Sequence, residues 1–142
     1  MILVIGEILF DWFPEYRRIG GAPFNFAYHL KNVGMPVRFM TRIGNDSDGK
    51  EILLKLKQLG FIMDDIQVDD RYDTGKVMVS LDRHGSPQFD IRSDVAYDHI
   101  AFPPAIGAFP VDEIRLVYFG SLIQRTENGF NVIRKILSQR NR

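Results

Sequence analysis

Apolar residues fall into two rhythms along the chain. Ile2–Ile5 is an unbroken apolar run closed by Gly6, the pattern of a strand buried on both faces of a parallel sheet. Residues 37–43 alternate, with Val37, Phe39, Thr41 and Ile43 on one face, and predict a second strand. Between them Phe26, Ala27, Leu30 and Val33 recur at helical spacing. They predict a helix over 24–33, with Pro23 in its first turn and Gly34 just past its end. A second helix is predicted over 49–59 from the stripe Ile52, Leu53, Leu56 and Leu59. Asp48 followed by Glu51 reads as its capping box, and Gly60 as its close. The rhythm then turns to β. Short strands are predicted at 66–68, 76–81 and 88–92, the last two joined by the turn-rich Asp82-Arg83-His84-Gly85-Ser86-Pro87. Residues 102–110 are rich in proline and read as loop. Residues 115–119 form another apolar strand, and a final helix over 127–137 turns Phe130, Ile133, Ile136 and Leu137 inward. Arg134, Lys135 and Arg140 gather toward its C-terminal end, where cations are favoured. Residues 8–19 keep neither rhythm. Aromatics and charges interleave there, and Pro14 argues for an edge strand or loop.

Strand–helix–strand–helix, then several strands, then strand–helix is the order of an α/β sheet with an inserted β element. In such a fold another strand is expected after the last helix. The chain has 142 residues, one domain's worth, enough to hide roughly two-thirds of its unfolded surface. Hydrophobic residues make up 45% and charged residues 25%, the mix of an ordinary soluble globular protein rather than a disordered one. Lys plus Arg and Asp plus Glu are both 18, so no basic excess points to nucleic acid or to a charged membrane surface. No apolar run approaches the roughly 20 residues of a membrane span. Met1–Glu7 lacks the basic leader and small-residue cleavage site of a signal peptide, so a cytoplasmic location is expected. Cysteine is absent, which excludes disulfides, thiolate nucleophiles and Cys-ligated metals.

Two places could carry chemistry. Gly20-Gly21-Ala22-Pro23-Phe24-Asn25 lets backbone approach a ligand closely, and the Asn25 amide both donates and accepts, which suits a hydroxyl. On spacing alone the segment reads equally as a plain loop-to-helix junction. Asp11 lies between Phe10 and Trp12, shortly after the first strand, and ligands bind beyond the carboxyl ends of parallel strands. Taken alone, it reads better as a solvated charge on an edge strand. Neither a Gly-x-x-x-x-Gly-Lys-Ser/Thr run nor a Gly-x-Gly-x-x-Gly run occurs.

Gly6-Glu7 with Asp11, then Gly20-Gly21-Ala22-Pro23-x-Asn25, then Gly44-Asn45-Asp46-x-x-Gly49, then Thr74-Gly75 resembles the N-terminal half of the PfkB-type, ribokinase-like carbohydrate kinases. With Phe119-Gly120-Ser121-Leu122, it most resembles their fructokinase-like branch. The resemblance covers essentially the whole chain. It implies a ribokinase-like α/β sheet with helices on both faces and a small β lid, residues 1–142 being the N-terminal part of one kinase domain. Lid segments are implied at about 8–19 and 74–98. It implies ATP-dependent phosphorylation of a small sugar, fructose or a related hexose, with Asp11, Gly21 and Asn25 holding its hydroxyls. Phe89, Arg92 and Tyr97, on or just after the last lid strand, are further candidate sugar contacts. ATP and Mg²⁺ are implied, but no ligand for either can be named in this chain. The family's second signature, Asp-Thr-x-Gly-Ala-Gly-Asp, is missing, so no catalytic residue is assigned and the catalytic aspartate is expected beyond residue 142. Asp73-Thr74-Gly75 lacks that signature's continuation and is not read as a base. Alternatives are a non-catalytic sugar-binding module, or a homodimer formed through the lid that buries Trp12 and Phe13.

Other residues take ordinary readings. His29, His84 and His99 show no metal-ligand spacing. Asp64, Asp65, Asp69 and Asp70 read as a solvated turn and strand end, and Met35, Met40, Met63 and Met78 as core fillers.

Overall fold

The computed structural model describes residues 1–102 and 111–139. Its strands are β1 (Ile2–Ile5), β2 (Leu9–Trp12), β3 (Arg17–Gly20), β4 (Val37–Gly44), β5 (Ile66–Asp69), β6 (Gly75–Leu81), β7 (Pro87–Ile91) and β8 (Leu116–Phe119). Its α-helices are α1 (Ala22–Asn32), α2 (Ser47–Gln58) and α3 (Glu127–Ser138). Short 3₁₀ turns lie at Ala96–His99 and Leu122–Arg125, among others. The expected α/β architecture is present. The loop expected at 102–110 and the cation at Arg140 fall, apart from residue 102, outside the described residues.

The main sheet runs β5-β4-β1-β8, with every pairing parallel. Strand β1 is central, and its pleat feeds two cores. Val4 packs with Phe24 and Ala27 of α1 and Ile52 and Leu56 of α2. Leu3 and Ile5 pack on the opposite face with Val132, Ile133 and Ile136 of α3. Helices therefore cover both faces, as the unbroken apolar run of β1 requires.

The chain leaves this sheet twice to build a second one, ordered β3-β2-β6-β7. Residues 8–19, patternless in sequence, form the β2–β3 hairpin. Pro14 sits in its turn, where the Phe13 amide donates to the Tyr16 carbonyl at 2.8 Å and the two rings stack at 4.5 Å. Strand β6 pairs parallel to β2 and antiparallel to β7.

Several details differ from the expectations. Helix α1 starts at Ala22 and ends before Val33, which is 75% exposed rather than part of the apolar face. Phe130 is exposed, and Val132 takes the inward place. Met35 and Met78 are exposed too, whereas Met40 is buried in one core and Met63, half-buried, packs against the other. The α2 cap is Asp46, not Asp48: its side chain accepts from the Gly49 amide at 2.7 Å. Asp65 and Asp69 are buried rather than solvated. Arg38 makes two hydrogen bonds to Asp65, and Arg42 binds Asp69 at 2.7 Å. The arginines of β4 thus neutralise carboxylates that could not otherwise be buried.

Candidate functional site

The site grows from the β2–β3 hairpin. Asp11 is opposite Arg18, and Leu9 is opposite Gly20. A β-carbon at Gly20 would collide with Asp11 Oδ2, so the carboxylate lies directly over that glycine. Gly21 follows at φ 108°, a torsion that L side chains rarely adopt. Its backbone also presses on the Glu7 carbonyl, 2.6 Å from where a β-carbon would stand. Helix α1 begins at the next residue, and the Asn25 backbone N–H donates to the Gly21 carbonyl at 2.9 Å. Burial pushes the Asp11 carboxyl above the usual carboxylate range, and Arg18, with Nε 3.9 Å away, partly offsets it.

The six residues singled out in the sequence do not all meet. Asp11 and Gly21 are brought together. The Asn25 side chain is exposed one helical turn further on, beside a groove of about 530 Å³ lined with Phe10, Phe24 and Tyr28. Phe10 faces away from Asp11 across the β2 pleat, but Arg18, on Asp11's side, borders the same groove. Phe89 is 63% exposed and shares the Asp11 face of the small sheet, two strands away. Arg92 lies on the other face, in a crevice with Trp12, Lys76 and Asp48. Tyr97 is wholly buried: its ring lies under Gly75, and Arg125 stands over it at 5.2 Å.

Sequence reasoning missed Glu7. It follows β1, is 5% exposed, and its Oε2 has no hydrogen-bond partner among the described residues. A β-carbon at Gly120 would stand 2.8 Å from that oxygen. Burial raises the Glu7 pKa, while the amides of Glu7 and Ala22 and the charge of Arg125 partly oppose the rise. The available signal was an acid placed directly after a buried strand and its glycine. Tyr97 is also pushed up by burial, and Arg125 beside it holds Asp98 at 2.8 and 2.7 Å.

The Gly44-Asn45-Asp46-x-x-Gly49 turn is scaffolding. Asp46 accepts from the Thr74 amide and hydroxyl, each at 2.7 Å, and from Gly49. Burial alone would raise its pKa; these hydrogen bonds outweigh it and hold the carboxyl below its ordinary value. Thr74-Gly75 therefore fastens the small sheet to the end of β4. Among the described residues no group of three His, Asp or Glu side chains could hold a metal, and no helix is long and apolar enough to cross a membrane.

A model of the pfkB family of carbohydrate kinases matches residues 15–101. The sugar kinase PH1459 of Pyrococcus horikoshii is 28% identical over 98% of this chain and 48% of its own length. A probable fructokinase-4 of Arabidopsis thaliana is 24% identical over 86% of this chain and 41% of its own. The crystal structure of PH1459 in complex with ATP superposes with a TM-score of 0.84 at 27% identity, over 98% of this chain and 49% of that one. The chain thus spans about half the length of the curated relatives it matches.

Proposed function

The chain belongs to the pfkB family of carbohydrate kinases, and on that premise we propose that it supplies the sugar-gripping part of a kinase that uses ATP to phosphorylate a hydroxyl of fructose or a related hexose. One observation carries the reading: a carboxylate seated on the Gly20-Gly21 step, at the start of the helix that bears Asn25. Asp11 would accept hydrogen bonds from two neighbouring hydroxyls, with Asn25 donating to and accepting from a third. The Gly21 backbone would lie against the sugar where no side chain intervenes. Phe89 shares the Asp11 face and would offer an apolar surface to the ring's C–H groups. The small sheet would act as a lid, excluding the water that competes for the phosphoryl group.

Among the described residues no group of three His, Asp or Glu side chains could hold a metal, and the sequence has neither a Gly-x-x-x-x-Gly-Lys-Ser/Thr nor a Gly-x-Gly-x-x-Gly run. In this reading the groups that activate the hydroxyl and stabilise the transferring phosphoryl lie in the half of the family fold that this chain does not span. Titration calorimetry of the chain with fructose and other hexoses tests the grip. The expected result is measurable fructose binding that Asp11→Asn weakens at least about tenfold. Failure of the wild-type chain to bind any hexose, or equal binding by the variant, would sink it.

A second reading, two copies pairing through their small sheets, has one observation in its favour. Leu81, Phe89 and Ile91 leave an exposed apolar patch on one face of β6 and β7. Trp12 and Phe13, the aromatics expected at such an interface, are half-buried instead. Sedimentation of Phe89→Glu against wild type tests it, and identical masses would count against pairing.

A further inference from the structure

Asp11 and Asn25 sit on two different bodies. Asp11 belongs to the small sheet, and Asn25 to the helical layer over the main sheet. The most direct covalent link between them runs through β3 and Gly20-Gly21, and a glycine pair does not by itself fix a distance; the Asp46–Thr74 hydrogen bonds tie down the start of β6 rather than the β2–β3 hairpin.

A second link does not follow the chain. Arg17 of β3 reaches to α2, where Nη1 donates to Asp48 Oδ1 at 2.9 Å and Nη2 to Glu51 Oε2 at 2.5 Å. Its guanidinium carbon stands 4.0 Å from the Phe10 ring centre and 5.2 Å from that of Trp12. Lys76 of β6 comes to the same place, with Nζ 3.8 Å from Asp48 Oδ2 and 4.7 Å from the Trp12 ring centre. Two cations on two strands of the small sheet thus converge on Asp48, in the first turn of α2 where an anion is favoured. The flat fork of Arg17 satisfies two carboxylates while stacking on two rings, which a lysine ammonium cannot reproduce.

We propose that Arg17 is a positioning residue that clamps the small sheet to α2 and so sets Asp11 against the helical layer bearing Asn25. Helices α1 and α2 share one hydrophobic core on one face of the main sheet, so fixing the sheet on α2 fixes it relative to α1. The consequence for sugar rests on the polyol reading above; the clamp itself does not.

The chain contains a single tryptophan, Trp12, which lies within the clamp and reports on it. The experiment compares wild type, Arg17→Gln, Arg17→Lys and the double variant Asp48→Asn/Glu51→Gln, which removes the anchors but keeps Arg17 and both rings. Fold is checked by circular dichroism, the clamp by Trp12 emission, and the site by calorimetric affinity for fructose. Arg17→Gln and the double variant should shift Trp12 emission and weaken fructose binding about tenfold, with Arg17→Lys between them and wild type. Wild-type emission in the double variant would overturn the clamp. Shifted emission with unchanged affinity would overturn its positioning role. If the wild-type chain binds no fructose, the polyol reading fails and the emission comparison still decides the clamp. If the variants lose their fold, wild type decides. Raising salt to about 1 M, where charges are screened within about 3 Å, should move Trp12 emission, and a flat response overturns the clamp.

Discussion

Glu7 is a buried acid and Asp46 a half-buried one, and their pKa values move in opposite directions. Asp46 collects hydrogen bonds from Gly49 and Thr74 that outweigh its desolvation, whereas one Glu7 oxygen finds no partner among the described residues. Burial lifts Glu7 above its ordinary 4.5, so the folded chain holds that proton more tightly than the unfolded chain. The resulting stabilisation is whole below pH 4.5 and is lost as pH rises through the folded-state pKa. Glu7→Gln should therefore lie nearest wild type in acid and gain on it as the pH climbs. Thermal unfolding of both proteins from about pH 4 to about pH 8 checks this, and parallel curves would refute it. Asp11 came into view through the resemblance alone, since an acid between two aromatics on an edge strand otherwise reads as a solvated charge. The placement of Tyr97 and Arg92 was not legible. Whether a residue just past a strand turns to one face, the other or the interior is decided by partners such as Gly75 and Lys76, which are distant in sequence.

Among the elements, the turn between β4 and α2 is a joint held by one side chain, Asp46. Asp46→Ala removes a helix cap and leaves the Thr74 amide without its acceptor, and should cost about 2–3 kcal/mol in chemical denaturation. A loss under about 0.5 kcal/mol would show that the joint contributes little. Helices α1, α2 and α3 were readable because their apolar stripes repeat every three or four residues. The β2–β3 hairpin was not, since its cations stack on its aromatics and so break the simple alternation. The pairs Arg38–Asp65 and Arg42–Asp69 carried a usable sign: both span 27 residues, joining successive parallel strands at a matching offset. Their carboxylates looked solvated only because each was read without its arginine. Arg42→Met, which leaves the Asp69 carboxylate without its cation, should cost about 3 kcal/mol by the same denaturation measurement.

At the scale of the molecule, the main sheet stops at β8. Among the described residues no strand pairs with its outer edge, and Leu116 there is 48% exposed. Open edges template association, so the isolated chain should gain mass with concentration in sedimentation equilibrium, and Leu116→Lys should restore the monomer mass. A wild-type chain monomeric at every concentration would contradict this. Strand β1 also lies between β4 and β8, which come from well-separated parts of the chain. A ribosome therefore releases β1 and its partner β4 well before β8, the partner on its other side. Until residues 116–119 emerge, one edge of β1 has no partner strand, and until α3 follows, Leu3 and Ile5 lack their helical cover. The chain's biosynthesis should accordingly depend on a holdase chaperone.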